Sequence, residues 1–331
     1  MKHNAMDLMR NSDIQNKGDI LDPSCYAMVI GGANMDLSGR ADSKLQLGDS
    51  TPGCFSCSAG GVGRNIADNL ARLGSSVEFI SVMGDDNWGE QLLCSCQSVG
   101  IGVSHCLTIP GANSSSYLSI LDQDGEMQLA LSDMALLTRL DADVLATRYD
   151  VIQQAQVLVV DANLSQDALT YLFHKHGNKP FFVDPVSATK AKKIKPFLSK
   201  IHTLKPNRLE AEALTGMTIS DDPATVEAVL AELHRLGVQR VLLSLGAKGA
   251  VASDGHGIRF ISAAATQVNN VTGAGDALMA GLTQGYLMNW DWFACVEFGL
   301  AAARLALAAD NTINSTMSES AVLRLLEETQ C

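Results

Sequence analysis

Short apolar runs alternate with segments of helical periodicity along most of the chain. Cys25–Ile30, Val77–Val82, Val157–Ala162, Pro180–Pro185 and Arg240–Leu245 have the length and β-branched or aromatic content of buried strands. Between them, apolar positions 62, 66, 67, 70, 71 and 73 mark one face of a helix over Ala59–Gly74, with Gly74 placed as its C-terminal cap. Further helices are predicted up to Val99, over Gln166–His176, over Leu278–Tyr286 and through the small-residue stretch Ala301–Ala309. Thr203–Glu212 crosses from strand to helix, with Asn207 placed to cap it.

This rhythm predicts an α/β fold with a mainly parallel sheet covered on both faces, its site at the strands' carboxyl edge. Two stretches break it. Residues 37–58 lack helical periodicity, and 103–131 reads as short strands (Val103–Ile109, Ser115–Leu121, Met127–Leu131) with a hairpin turn at Asp122–Gly125. Together they predict a small antiparallel-looking sheet set apart from the main one as a lid, which would bury a face against a ligand or a second subunit. No internal repeat or dividing linker is visible, so the organisation expected is a polar tail over 1–24 and one domain over 25–331.

Composition narrows the class. The 331 residues are 47% hydrophobic and 18% charged, a globular balance. The net charge of −12 argues against a basic surface for nucleic-acid polymers or anionic membranes. Eight cysteines in so long a chain do not make a disulfide scaffold. Cys54-x-x-Cys57 and Cys94-x-Cys96 lack the further ligands that a zinc site needs. The tail has no apolar core of a signal peptide, and Arg304 interrupts the longest small-apolar run, so a reduced, cytoplasmic protein is expected.

The chemistry concentrates at Val271-Thr-Gly-Ala-Gly-Asp-Ala277, where the extended run Thr266–Val271 gives way to a helix. Unhindered N–H groups at a helix start hold an anion, and Asp276 on the first turn is a carboxylate beside it. That pairing suits phosphoryl transfer to a hydroxyl, with Asp276 taking the proton. The same residues also suit an ordinary helix start with Asp as a dipole partner. Upstream, Gly31-Gly-Ala-Asn-Met-Asp36 ends the first strand with Asn34 and Asp36 in position to face a ligand or to form a turn. Gly60 and Gly61 permit close approach at the next helix start, and Asn65 follows on its first turn. Their spacing is not the dinucleotide fingerprint. Asn207 and Glu210 have the spacing of a capping pair, which is a sufficient explanation by itself. Gly246-Ala-Lys-Gly249 is a tight turn with room for a phosphate, Lys248 also reading as a solvated charge.

In order and spacing, Gly31–Asp36, Gly60–Asn65, Gly84-Asp-Asp-x-x-Gly89, Asn207-x-x-Glu210, Ser244–Gly249 and Val271–Asp276 resemble the ribokinase-like (PfkB-type) carbohydrate and nucleoside kinases, over residues 26–328. Within that family, Gly60–Ala67, Asn113–Ser119, Phe182–Ser187, His202–Glu212 and Asn270–Ala277 are most similar to its pseudouridine-phosphorylating members. The resemblance implies a three-layer α/β/α fold with a β-sheet lid, and ATP- and Mg²⁺-dependent phosphorylation of a nucleoside 5′-hydroxyl. A ribose, adenosine or inosine kinase, or a silent ligand-binding protein on this fold, remains the alternative. It further implies Asp276 as base and the N–H groups of Gly273, Ala274 and Gly275 as anion hole. Substrate contacts are implied at Asn34, Asp36, Gly60, Gly61, Asn65 and Asn163, and on the lid at Ser116 and Tyr117. ATP contacts are implied at Asn207, Glu210, Ser244, Gly246, Gly249, Thr272, Asn311 and Asn314, with Glu210 organising Mg²⁺ through water. Many relatives carry an aspartate where this chain has Asn270, beside a monovalent-cation site; the amide predicts weak K⁺ dependence. Family habit implies a homodimer through the lid.

Overall fold

The computed structural model describes residues 25–263, 268–270 and 272–330; the polar tail and much of the extended run Thr266–Val271 lie outside them. The main sheet has eight strands: β1 (Ala27–Ile30), β4 (Val77–Ile80), β9 (Val157–Asp161), β10 (Phe181–Asp184), β11 (Ile201–Leu204), β12 (Arg240–Ser244), β13 (Ala250–Ser253) and β14 (Ile258–Ile261). Their order is β14-β13-β12-β11-β10-β9-β1-β4. From β4 to β12 every pairing is parallel, and β13 and β14 close one edge antiparallel, a hairpin the hydrophobic pattern did not announce.

The near-continuous apolar strands have the reason anticipated for parallel sheets, burial on both sides. In β1, Ala27 and Val29 join one core while Met28 and Ile30 join the other; Val157 and Val159 are likewise separated from Leu158 and Val160. Helices Val62–Arg72, Ala274–Leu287 and Trp292–Leu307 cover the first face, and Gln166–Lys175 and Pro223–Arg235 the second. The result is three layers, α/β/α. Fully burying each large apolar side chain contributes roughly 1.5–3 kcal/mol, so both cores are strongly driven. On the first face, the small residues let helices meet closely: a Cβ at Gly281 would lie 2.5 Å from Gly299 Cα.

β1 lies between β4 and β9, so the chain leaves it to opposite sides. This is a topological switch, which opens a crevice beyond the carboxyl ends of β1 and β9. The glycines after β1 and the polar residues after β9 meet there.

The second sheet is β3 (Gly53–Gly60), β2 (Asn34–Ala41), β7 (Ser116–Leu121) and β8 (Met127–Asp133), in that order. It corrects the sequence reading in two places. β2 and β7 pair parallel, so the sheet is mixed; and β6 (Leu107–Ile109), the only strand within Val103–Ile109, pairs instead with β5 (Val82–Gly84). Among the described residues, no helix is long and apolar enough to cross a membrane.

Candidate active site

The crevice at the switch point is built from tightly interlocked backbone. Asp161, at the end of β9, is buried, with Oδ2 accepting from Gly32 N at 2.8 Å and Oδ1 accepting from Asn163 N at 2.8 Å. A side chain at Gly31 would overlap that carboxylate, so glycine is required where β1 passes it. Burial, opposed by those N–H donors, raises the proton affinity of Asp161. Asn163 stands beside Gly32, and its Oδ1 accepts from Lys190 Nζ at 2.6 Å.

Asp276 lies on the first turn of the helix Ala274–Leu287, whose cap, Gly273, has φ of 85°. That left-handed conformation favours glycine. A Cβ at Gly273 would also overlap the carbonyl oxygen of Thr312, so the loop Asp310–Asn314 packs directly over this turn. Asp276 is 8% exposed, and its Oδ2 accepts from Asn65 Nδ2 at 2.9 Å. Burial foremost, and then the negative charge of Asp184, push it up to about 8, against the Asn65 hydrogen bond and the positive charge of Lys205. A base with proton affinity near neutrality is matched to accepting a proton during turnover.

Lys205 was not singled out from sequence. It is buried, forms an ion pair with Asp184 Oδ2 at 3.0 Å, and its Nζ lies 3.2 Å from where a Cβ on Gly275 would stand. The Gly273–Gly275 turn therefore has an ammonium beside it as well as a helix N-terminus. Its proton affinity is raised, burial being outweighed by Asp184, Glu210 and Asp276. Asp184 Oδ1 accepts from Val186 N at 2.8 Å, and Val186 itself has φ of 65°, a strained position for a β-branched residue. A carboxylate closing an apolar strand and followed by proline was the available signal for Asp184. A lysine just past the short strand Ile201–Leu204 and followed by proline was the signal for Lys205.

On the adjoining strand ends, Asn207 and Glu210 form a complete capping box: Glu210 N donates to Asn207 Oδ1 at 3.0 Å and Asn207 N to Glu210 Oε2 at 2.9 Å. The capping reading is thus correct. It does not exhaust Glu210, which is 3% exposed and whose proton affinity is raised by burial and by Asp184. Asp184 and Glu210 are both buried, with the charge of Asp184 acting on Glu210, and they are donors of the kind that fit Mg²⁺, which binds through one or two carboxylates, waters and phosphate oxygens.

Ser244 bridges to Asn207 at the end of β12, and Gly246 and Gly249 take φ of 60° and 97° in the turn that follows. Lys248 in that turn pairs with Asp221 on the surface, a solvated charge and not part of the site. Thr272 N donates to Asn270 Oδ1 at 2.8 Å, and Asn270 Nδ2 to Asp310 O at 3.2 Å. Asn311 is exposed, whereas Asn314 is used internally, donating to Leu305 O at 2.7 Å.

The small sheet presents two unlike faces. Asp36 pairs across with Ser58 and Tyr117, and Asn34 with Gly60, so these share a polar face. Asn34 Nδ2 donates to Asp36 Oδ1 at 2.6 Å, and a Cβ at Gly60 would overlap the Asp36 carboxylate. Burial raises the proton affinity of Asp36, offset by Asn34 and the charge of Arg64. Gly61, with φ of 97°, turns β3 into the helix Val62–Arg72. Ser116 is a correction. It pairs with Met35, which puts it on the face opposite Asp36, beside a hollow of about 410 Å³ lined also by Trp88, Asn113 and Asp133.

A buried carboxylate at a lysine-floored helix N-terminus, facing strand-end polar groups across a switch-point crevice, defines a phosphotransferase acting on an alcohol group. Residues 25–319 match the model of the pfkB family of carbohydrate kinases. The chain is 43% identical to the pseudouridine kinase of Escherichia coli K12, over 92% of this chain and 98% of that one. It is 40% identical to YeiI of the same strain, an uncharacterized sugar kinase, over 97% and 89%. A structure of Arabidopsis thaliana ribokinase complexed with ribose and ATP superposes with a TM-score of 0.82 at 22% identity, over 91% and 98%. The chain belongs to the pfkB family of carbohydrate kinases.

Proposed function

We propose that the chain transfers the γ-phosphoryl group of ATP to the 5′-hydroxyl of pseudouridine, giving pseudouridine 5′-phosphate and ADP. The observation that carries the chemistry is Asp276, buried against Asn65 with Lys205 beside the Gly273–Gly275 turn. The 43% identity to a pseudouridine kinase carries the substrate. In this account Asp276 takes the hydroxyl proton as the oxygen attacks phosphorus, and the bond to the β,γ-bridging oxygen breaks to release ADP. The N–H groups of the turn and the Lys205 ammonium meet the charge on the transferred group. Asn34, Asp36, Asn163 and Tyr117 grip the nucleoside, and the small sheet serves as the lid that brings the lid residues to it. Asn207, Glu210, Ser244, Gly246, Gly249, Thr272 and Asn311 line the ATP side. Glu210 and Asp184, with water, would hold Mg²⁺, which would supply neutralising charge at the phosphates. Asn270 already has both ends of its amide engaged, which supports weak K⁺ dependence.

A panel of pseudouridine, uridine, adenosine, inosine and ribose, assayed for ADP release with and without K⁺, tests this reading. The expected result is a kcat/KM for pseudouridine at least ~10-fold above each other substrate, a difference of about 1.4 kcal/mol in transition-state binding, and little response to K⁺. Equal or faster turnover of ribose or adenosine would sink the substrate assignment.

The polar face of the lid carries Asp36, so the opposite face is left with Leu37, Leu118, Ile120, Phe55, Leu129 and Leu131. Of these, Phe55, Leu129 and Leu131 are 80%, 57% and 60% exposed. Such a patch on a mixed sheet supports a homodimer formed lid to lid. Light scattering at micromolar concentration should give twice the chain mass, falling to one chain mass in L131D. A monomeric wild type contradicts the dimer.

A further inference from the structure

The first turn of the helix Val62–Arg72 carries a guanidinium that the chemistry above leaves unused. Arg64 is 3% exposed. Its Nη1 donates to Ala59 O at 2.7 Å and to Asn65 Oδ1 at 2.9 Å, and its Nη2 to Asp68 Oδ2 at 2.5 Å. A primary amide has one accepting end and one donating end, whereas a guanidinium only donates. With Oδ1 of Asn65 committed to Arg64, Nδ2 is the end left for Asp276, and it donates to Oδ2 there at 2.9 Å. The reversed amide would set N–H against guanidinium and oxygen against carboxylate, and protonation of Asp276 would relieve only the second of these mismatches.

We infer that Arg64 is a positioning residue: it fixes the polarity of the Asn65 amide, so that an N–H donor and not a carbonyl oxygen meets the Asp276 carboxyl group. This rests on Asp276 being the base.

The other charged groups facing Asp276 do not perform this task together. Asp161 at the end of β9 and Asp184 at the end of β10 favour its protonated form, and Lys205 beyond β11 opposes them. Glu210 lies behind Lys205 as a further negative charge. The Asn65 hydrogen bond is the remaining interaction that favours the carboxylate, and its direction is set by Arg64. The guanidinium is itself held on both sides. Asp68 Oδ1 also accepts from Arg72 Nε at 2.5 Å, and Arg72 Nη1 donates to Ser315 O at 3.1 Å, just past the loop that covers Gly273. Ala59 is the last-but-one residue of the lid strand β3. The polarity lock is therefore anchored to the lid's root and to the nucleotide-side loop.

The test is the pH profile of kcat/KM for the wild type, R64M and R64K, with D276N as reference. In R64M the acid limb should move up by about one pH unit or more, making the loss about tenfold or more near neutrality and small at alkaline pH. ATP binding should stay within about twofold, since one phosphate-side contact alone is worth more than that. R64K, which keeps a cationic donor, should return the limb toward wild type. A loss equal at every pH, with the limb unmoved, would show a merely structural role and overturn the inference. If D276N stays active, the base assignment fails; if D276N is inactive and the R64M limb does not move, only the polarity lock fails. Should R64M lack a cooperative melt, R64Q, uncharged and shorter, is read by the same criteria.

Discussion

Exchanging Asp276 for asparagine is expected to lower kcat by about 10²–10⁴-fold while leaving ATP affinity within about twofold. The amide keeps the volume and one hydrogen-bonding oxygen for Asn65 but cannot take a proton. The same substitution should make the unliganded protein more stable. Asp276 has a folded-state pKa of about 8 against an ordinary value of 3.8. Between those values the folded protein binds the extra proton, so this group's contribution to stability falls as pH rises through the window. Above about pH 8 the full cost of a buried carboxylate remains, and below about pH 4 it is absent. D276N should therefore melt higher than wild type at alkaline pH, with the difference vanishing in acid. Catalytic loss with gain of stability is the signature of a group strained for function. A D276N protein with near wild-type turnover would remove Asp276 from the mechanism.

The substitution K205M is expected to act on both fold and chemistry. It leaves Asp184 and Glu210, at 4% and 3% exposure, without their central cation. Breaking a buried pair by removing one partner costs on the order of 3–5 kcal/mol, because the remaining charge is uncompensated. It also removes the ammonium beside Gly275, so ATP binding and kcat should both fall. The double variant K205M/D184N separates the effects. It should recover much of the lost stability, measured by denaturant melting, and none of the lost turnover. Unchanged melting and ATP affinity in K205M would show the pair to be peripheral.

Much of this site was visible in the chain because it is written locally. Gly273–Asp276 is a contiguous helix start, and the strands ending at Ile30 and Asp161 are contiguous apolar runs up to their last residue. The polar residues just past them could only lie at one edge of a parallel sheet. The Lys205–Asp184–Glu210 cluster was not visible in that way. Its members come from β10, β11 and the following helix, and only the pairing of those strands brings them together. Ser116 was misplaced for a different reason. Side chains alternate across a strand, so choosing both Ser116 and Tyr117 as ligand contacts asked one strand to face two ways. Val103–Ile109 has strand-like composition, but nothing local says which sheet it joins, and it pairs with β5. Asn207 and Glu210 show the converse: the capping box and a place at the phosphate side are compatible, since the box itself turns the Glu210 carboxylate inward.

The central claim is that the chain places a phosphoryl group on the hydroxyl that Asp276 deprotonates. The most direct measurement is phosphorus NMR of the product formed from ATP, Mg²⁺ and pseudouridine. The account predicts a single new phosphomonoester whose phosphorus couples to the two 5′ methylene protons, formed in equal amount with ADP by the wild type and not by D276N. Free inorganic phosphate alone, or an ester at a ring hydroxyl, would contradict it.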